Sequence, residues 1–91
     1  MLLVVWRSRA RQDYRAIIDY ISDRNTAAAE RMADLFDRTA ERLPDHPDMY
    51  RPGRVSGTRE AVMHPNYVMV YRVTETSIEI TAIQHTRQQY P

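Results

Sequence analysis

Few side chains in this sequence can move a proton, hold a metal or anchor an anion. There are three histidines, His46, His64 and His85, and no cysteine. His46 and His64 stand beside prolines in segments that read as turns, with no second ligand at metal-like spacing. No metal site and no cofactor is therefore expected. His85 closes a run rich in β-branched residues. It reads as a strand-end residue that hydrogen-bonds the backbone, with proton transfer as the alternative. Glu60 follows Arg59 directly and could serve as an acid–base carboxylate beside its cation. Neighbouring strand residues point to opposite faces, however, which argues for separation. All thirteen basic residues are arginine, so no lysine can act as base, Schiff-base former or phosphate ligand. Arginine makes bidentate contacts with carboxylate or phosphate better than lysine does. The net charge of +1 is not the footprint of a dedicated nucleic-acid binder.

The elements that must position these residues are legible from spacing. Gly57 to His85 holds three runs of β-branched and aromatic residues, separated by His64-Pro65-Asn66 and Thr74-Glu75-Thr76. That pattern predicts two successive hairpins, hence a three-stranded antiparallel meander. Pro65 cannot donate to a ladder and Asn66 tolerates a turn conformation. Alternation puts Ile78, Ile80 and Ala82 on one face, opposite Glu79, Thr81, Ile83 and His85. Tyr67, Met69, Tyr71 and Val73 likewise fall opposite Val68, Val70 and Arg72. The first set should meet the helices. The second set either forms a docking surface or packs beneath a long loop.

Upstream, Leu2 to Trp6 is short and wholly apolar, which suits a strand buried on both faces. Ser8 is placed to cap a helix whose apolar stripe is Ala10, Tyr14, Ile17, Ile18 and Ile21. Asn25 and Thr26 offer a second cap. The next helix, about residues 27–43, carries Ala28, Met32, Leu35, Phe36, Thr39, Ala40 and Leu43 on its stripe, with Asp34 and Arg38 as an i,i+4 pair. A linker of about three residues makes the two helices an antiparallel hairpin. Pro44 stops the second helix, and the stretch to Gly57, with three prolines and two glycines, reads as one long loop. The 91 residues suit a single small α+β domain, 1–91, ordered β-α-α-β-β-β, with the helical hairpin on one face of a largely antiparallel four-stranded sheet. No apolar run approaches the roughly 20 residues of a membrane span, and the start lacks a basic leader, so a cytoplasmic location is expected.

This arrangement resembles the RelE/ParE superfamily of toxins from bacterial toxin–antitoxin pairs. The marks are Trp6 ahead of a helix with Tyr14 and Ile17 to Ile21, then Asn25 with Ala27-Ala28-Ala29-Glu30. Arg51-Pro52-Gly53-Arg54, Gly57-Thr58-Arg59-Glu60, Tyr67 to Val73, and the closing Ile83 to Pro91 follow in the same order. Together they cover almost the whole chain. The resemblance implies one of two activities. RelE-like members cut messenger RNA inside the ribosome; ParE-like members poison DNA gyrase without nuclease activity. RelE-like nucleases carry an arginine facing the scissile phosphate in a strand reading Tyr/His-Arg-Leu-Val-Tyr. Here the strand reads Tyr67-Val68-Met69-Val70-Tyr71, so that position is Val68.

Without metal, cleavage needs an acid, a base and cations around the phosphorane. The missing arginine, with no lysine to replace it, favours the ParE-like reading. If the chain is a nuclease, the resemblance implies His85, Arg87 and Tyr90 as its catalytic set. As a ParE-like toxin it should meet its partners through Arg54, Arg59, Arg72, Arg87, Tyr67 and Tyr71. Those partners are a cognate antitoxin, of ribbon-helix-helix type and forming a higher-order complex, and DNA gyrase as target. No membrane and no sequence-specific nucleic acid is expected among them.

Overall fold

The computed structural model describes residues 2–87. The elements in chain order are β1 (Leu3–Trp6), α1 (Ser8–Ser22), α2 (Thr26–Arg42), a 3-10 turn (Leu43–Asp45), β2 (Arg51–Pro52), β3 (Arg59–His64), β4 (Tyr67–Val73) and β5 (Ser77–His85). They build an α+β unit in which the two helices pack on one sheet. The sheet has five strands in the order β1-β5-β4-β3-β2. All neighbours are antiparallel except β1, which runs parallel to β5. The fifth strand is β2, a two-residue piece inside the expected loop, pairing Arg51 with Glu60 and Pro52 with Arg59.

Helix stripes follow the sequence closely, and one of the two expected caps is present. Asn25 caps α2, its Oδ1 accepting from the Ala28 N–H at 3.0 Å. Such a cap is worth about 1 kcal/mol. Asp34 and Arg38 pair at 3.1 Å. Pro44 falls in the 3-10 turn that ends the second helix. Two local expectations fail. Ser8 is the first helical residue, not the cap; Arg7 takes the cap position and no side chain caps α1. Nor is β1 buried on both faces. It is an edge strand, with Leu3 70% and Val5 37% exposed on the side away from the helices.

The core lies between the helices and the front of the sheet. Ala10, Phe36, Ala40 and Leu43 meet Ala61, Met69, Tyr71, Ile78, Ile80 and Ile83. Ile83 belongs here because β5 is bulged. Val70 faces Ala82, yet Tyr71 faces Ile80, so Thr81 is an extra residue. Its hydroxyl donates to the Val70 carbonyl at 3.2 Å. A one-residue slip reverses every later side chain. Ala82 therefore sits on the back of the sheet, not on the helix face as alternation implied. Ile83 and His85 turn to the front and Gln84 to the back.

Candidate partner-binding site

Cross-strand pairs define the back of the sheet. Glu60 opposes Val70 and Val62 opposes Val68. Val68 opposes Gln84, Val70 opposes Ala82, and Arg72 opposes Glu79. Among the described residues no helix covers this side, yet Val68, Val70, Ala82 and Gln84 are all buried. The segment after β2 explains part of this. Gly53 N–H donates to the Thr58 carbonyl at 2.7 Å, and the Thr58 amide and hydroxyl both donate to the Val55 carbonyl. A side chain at Gly53 would collide with Thr58, and Gly57 has φ +84, so both glycines are required for this tight loop. The Arg54 amide also donates to Glu60 Oε2 at 3.3 Å, pinning the loop to β3. Its tip, Val55 to Thr58, borders a cavity of about 610 Å³ with Val70, Ala82 and Gln84 behind it and Arg7, Arg9 and Arg72 around it. The loop tip and this face thus line one cavity and are not shown packed on each other, as the loop alternative required.

The carboxylates on this side are committed. Glu60, 4% exposed, accepts from Arg51 at 3.0 Å. Glu79 accepts from Arg72 at 2.7 Å. Both guanidinium side chains nevertheless stay more than half exposed, at 63% and 56%. Arg59 and Glu60 point to opposite faces, as alternation implied. Arg59 donates to the Tyr50 and Asp48 carbonyls and pairs with the Asp48 carboxylate, tying the loop down from the front.

His85 stands on the front, its ring 5.4 Å from that of Tyr67 and edge-on to it. Its Nδ1 accepts the Arg87 amide at 3.1 Å, the backbone role expected of a strand-end histidine. His64 does the same for Asn66 at 3.0 Å. His85 and Val68 thus lie on opposite faces. Tyr67 is half-buried between Phe36, His64 and His85. Tyr71, expected to contact a partner, has no exposed surface and cannot. Its hydroxyl donates to the Pro47 carbonyl at 2.8 Å, and burial pushes its pKa up to about 12. Arg72 and Arg87 are exposed, and Tyr90 lies outside the described residues. Arg7, Arg9 and Gln84 were missed by sequence reasoning; the bulge that brings Gln84 to the back has no composition signal. Among the described residues no group of three or more His, Asp or Glu is placed to hold a metal ion, and no helix is long and apolar enough to cross a membrane.

Residues 4–90 match the family described as the ParE toxin of the type II toxin–antitoxin system, parDE. The chain belongs to the ParE toxin family. It is 38% identical over 85 residues to Toxin RelE2 of Caulobacter vibrioides, covering 93% of this chain and 96% of that protein. Among solved structures, the ParE fold here matches a chain of the chromosomal ParDE system from P. aeruginosa with TM-score 0.84 at 21% identity, covering 93% and 96% of the two chains. It matches the YoeB dimer from Staphylococcus aureus with TM-score 0.67 at 14% identity, covering 98% of each. At those identities the structural matches speak for the fold alone. The names span both branches of the RelE/ParE superfamily.

Proposed function

We propose that this ParE-family chain is a toxin that acts by binding, with DNA gyrase as its target and a cognate antitoxin as its neutralising partner. The reading rests on one observation. The strand position that would hold a phosphate-facing arginine is Val68, buried against Gln84, while His85 points to the other face of the sheet. An RNA nuclease must bring positioned cations and a proton-transfer group to one side of the scissile phosphate. The antitoxin partner is supported by the family itself, whose members come as toxin–antitoxin pairs, and by the likeness to a ParDE chain. A ribbon-helix-helix antitoxin in a higher-order complex is the expected form. Its acidic residues would face the arginine set Arg54, Arg59, Arg72 and Arg87, with Tyr67 as an aromatic neighbour.

The second reading, a RelE-like ribosome-dependent RNA endonuclease, is favoured by the name of the 38%-identical relative, Toxin RelE2. One experiment separates the two. Purified protein is added to a gyrase supercoiling reaction and, in parallel, to a translating extract. The expected result is loss of supercoiling or trapped cleaved DNA, intact messenger, and toxicity retained by a folded His85→Ala variant. Codon-specific cuts in ribosome-bound RNA that disappear in that variant would replace the first reading with the second.

A further inference from the structure

The two edges of the sheet are built differently. At one, β2 presents Arg51 and Pro52. Proline has no N–H to give a further strand, and Arg51 would meet its own charge in a copy. At the other, β1 is Leu3–Trp6, a run without charge, proline or glycine. Its inner side is used: the Leu3 N–H donates to the Thr76 carbonyl at 3.1 Å, and the Arg7 N–H to the Ile80 carbonyl at 2.9 Å. Backbone groups alternate along a strand, so Val4 and Trp6 turn their N–H and C=O outward. Among the described residues no strand lies on that side. Natural edges are blunted by charge, proline, a bulge or shortness, and of these β1 has only shortness.

Side chains on both faces of this edge are open as well. Leu3 and Val5 are exposed on the back. On the helix side, Val4 and Trp6 line a space of about 200 Å³ with Asp37, Ala40 and Glu41 of α2. The run is its own complement. In an antiparallel pair about a two-fold axis at Val4, the Val4 N–H donates to the Val4 carbonyl of a second copy and the reverse bond closes the ring. Trp6 then lies opposite Leu2 of the second copy, so every outward group from Leu2 to Trp6 finds a partner. Leu3 comes opposite Val5 of the second copy, and Val5 opposite its Leu3. Such aliphatic cross-strand pairs are stabilising, and no like charges meet along the ladder.

We propose that β1 pairs with β1 of a second copy of this chain, joining two five-stranded sheets into one with the helices of both copies on the same face. The contact is isologous, and the outer edges of the joined sheet are the two β2 strands, so association closes at the dimer. A pair of four-residue strands buries little surface, which places it among weak, reversible interfaces. Charge on the helix side sets its salt dependence. Asp37 accepts from the Tyr14 hydroxyl of its own chain, but Glu41 stands over the edge and meets its counterpart on the same side of the joined sheet. Added salt screens that repulsion and should tighten the dimer. This inference is independent of the gyrase and nuclease readings.

The test is sedimentation of the full chain at rising concentration, with the emission of Trp6, the single tryptophan, followed on dilution. The expected result is a monomer–dimer equilibrium with a Kd between about 1 μM and about 1 mM, and Trp6 emission moving to longer wavelength as the copies separate. Leu3→Lys or Val5→Glu alone should weaken dimerisation roughly tenfold or more. An equimolar mixture of the two should restore it, because the new ammonium of one copy then faces the new carboxylate of the other. Val4→Pro removes an outward N–H, leaves the bonds to β5 in place, and should weaken the dimer as much. An isotope-filtered NMR contact between Leu3 of one copy and Val5 of the other needs no substitution, and it decides the matter if a variant fails to fold. Protein that stays monomeric up to about 1 mM overturns the inference, as does a dimer that all three variants leave within about twofold, or a mixture that regains nothing. If the variants leave the free toxin unchanged and instead lose the antitoxin encoded by the adjacent reading frame, the edge belongs to the antitoxin and the inference is wrong.

Discussion

Raising the pH should destabilise this protein through two particular phenols. Burial, with the Asp37 carboxylate bonded to its hydroxyl at 2.9 Å, pushes the Tyr14 pKa up to about 12. Burial alone is the main cause at Tyr71, partly offset by the Arg59 charge, and the value is again about 12. A phenol with a raised pKa stays protonated in the fold after it has ionised in the unfolded chain. Its contribution is complete below pH 10 and is lost as the pH climbs toward 12. Fully developed, the loss is roughly 2–3 kcal/mol for Tyr71 and at the lower end of that range for the less buried Tyr14. Against a total stability of roughly 5–14 kcal/mol for 91 residues, the two together remove a large share, roughly 4–5 kcal/mol.

Tyr71→Phe isolates one of them. At pH 8 it loses the bond to the Pro47 carbonyl and should cost about 1–2 kcal/mol. At about 4–8 °C per kcal/mol for a domain of this size, the melting temperature drops visibly. Above pH 10 the variant no longer suffers the ionisation penalty. The melting curves of wild type and variant, followed by circular dichroism against pH, should therefore converge and cross before pH 12. Curves that stay parallel over the whole alkaline range would refute the reasoning.

Two further outcomes bear on the fold and on the partner. Ile80 has no exposed surface and sits at the centre of the core, so Ile80→Ala should cost about 2–5 kcal/mol in urea unfolding with an unchanged denaturant slope. Arg72 and Arg87 are exposed, and alanine at either should weaken calorimetric binding of the antitoxin with little change in melting temperature, since exposed ion pairs such as Arg72 with Glu79 contribute about 0–1 kcal/mol.

What could be read from the sequence divides along a physical line. Helix stripes are dense: Phe36, Thr39, Ala40 and Leu43 recur often enough that tertiary contacts cannot change the assignment. The meander was legible because Pro65 and Asn66 fix one turn and β-branched residues fill both sides. The short strands were less so. Two residues, one of them Pro52, give no periodicity, and β2 exists only because Glu60 and the loop hold Arg51 beside β3. The apolar run of β1 does not say whether it lies inside a sheet or at its edge. Its parallel pairing to β5 leaves Leu3 and Val5 outward, and nothing local announces that. Of the candidate site, the arginines were legible as chemistry, but Tyr71 was indistinguishable from Tyr67 until burial separated them.

The bulge at Thr81 decides which late β5 side chains share a face with Val68. Strict alternation from Ile78 would send Ile80, Ala82 and Gln84 to the helices, and Glu79, Ile83 and His85 to the back. His85 would then share a face with Val68, the arrangement a nuclease needs. The extra residue exchanges the two sets at the end of the strand. It puts Ile83 into the core, where a large apolar side chain gains about 2 kcal/mol or more by burial. In the same step it brings the His85 ring against Tyr67 and turns the Gln84 amide to the back face, where its oxygen finds no partner. An imidazole on the far side of the sheet cannot reach a phosphate lying against Val68. The same slip that completes the core thus moves the His85 imidazole off the face that carries Val68 and brings the Gln84 side chain onto it.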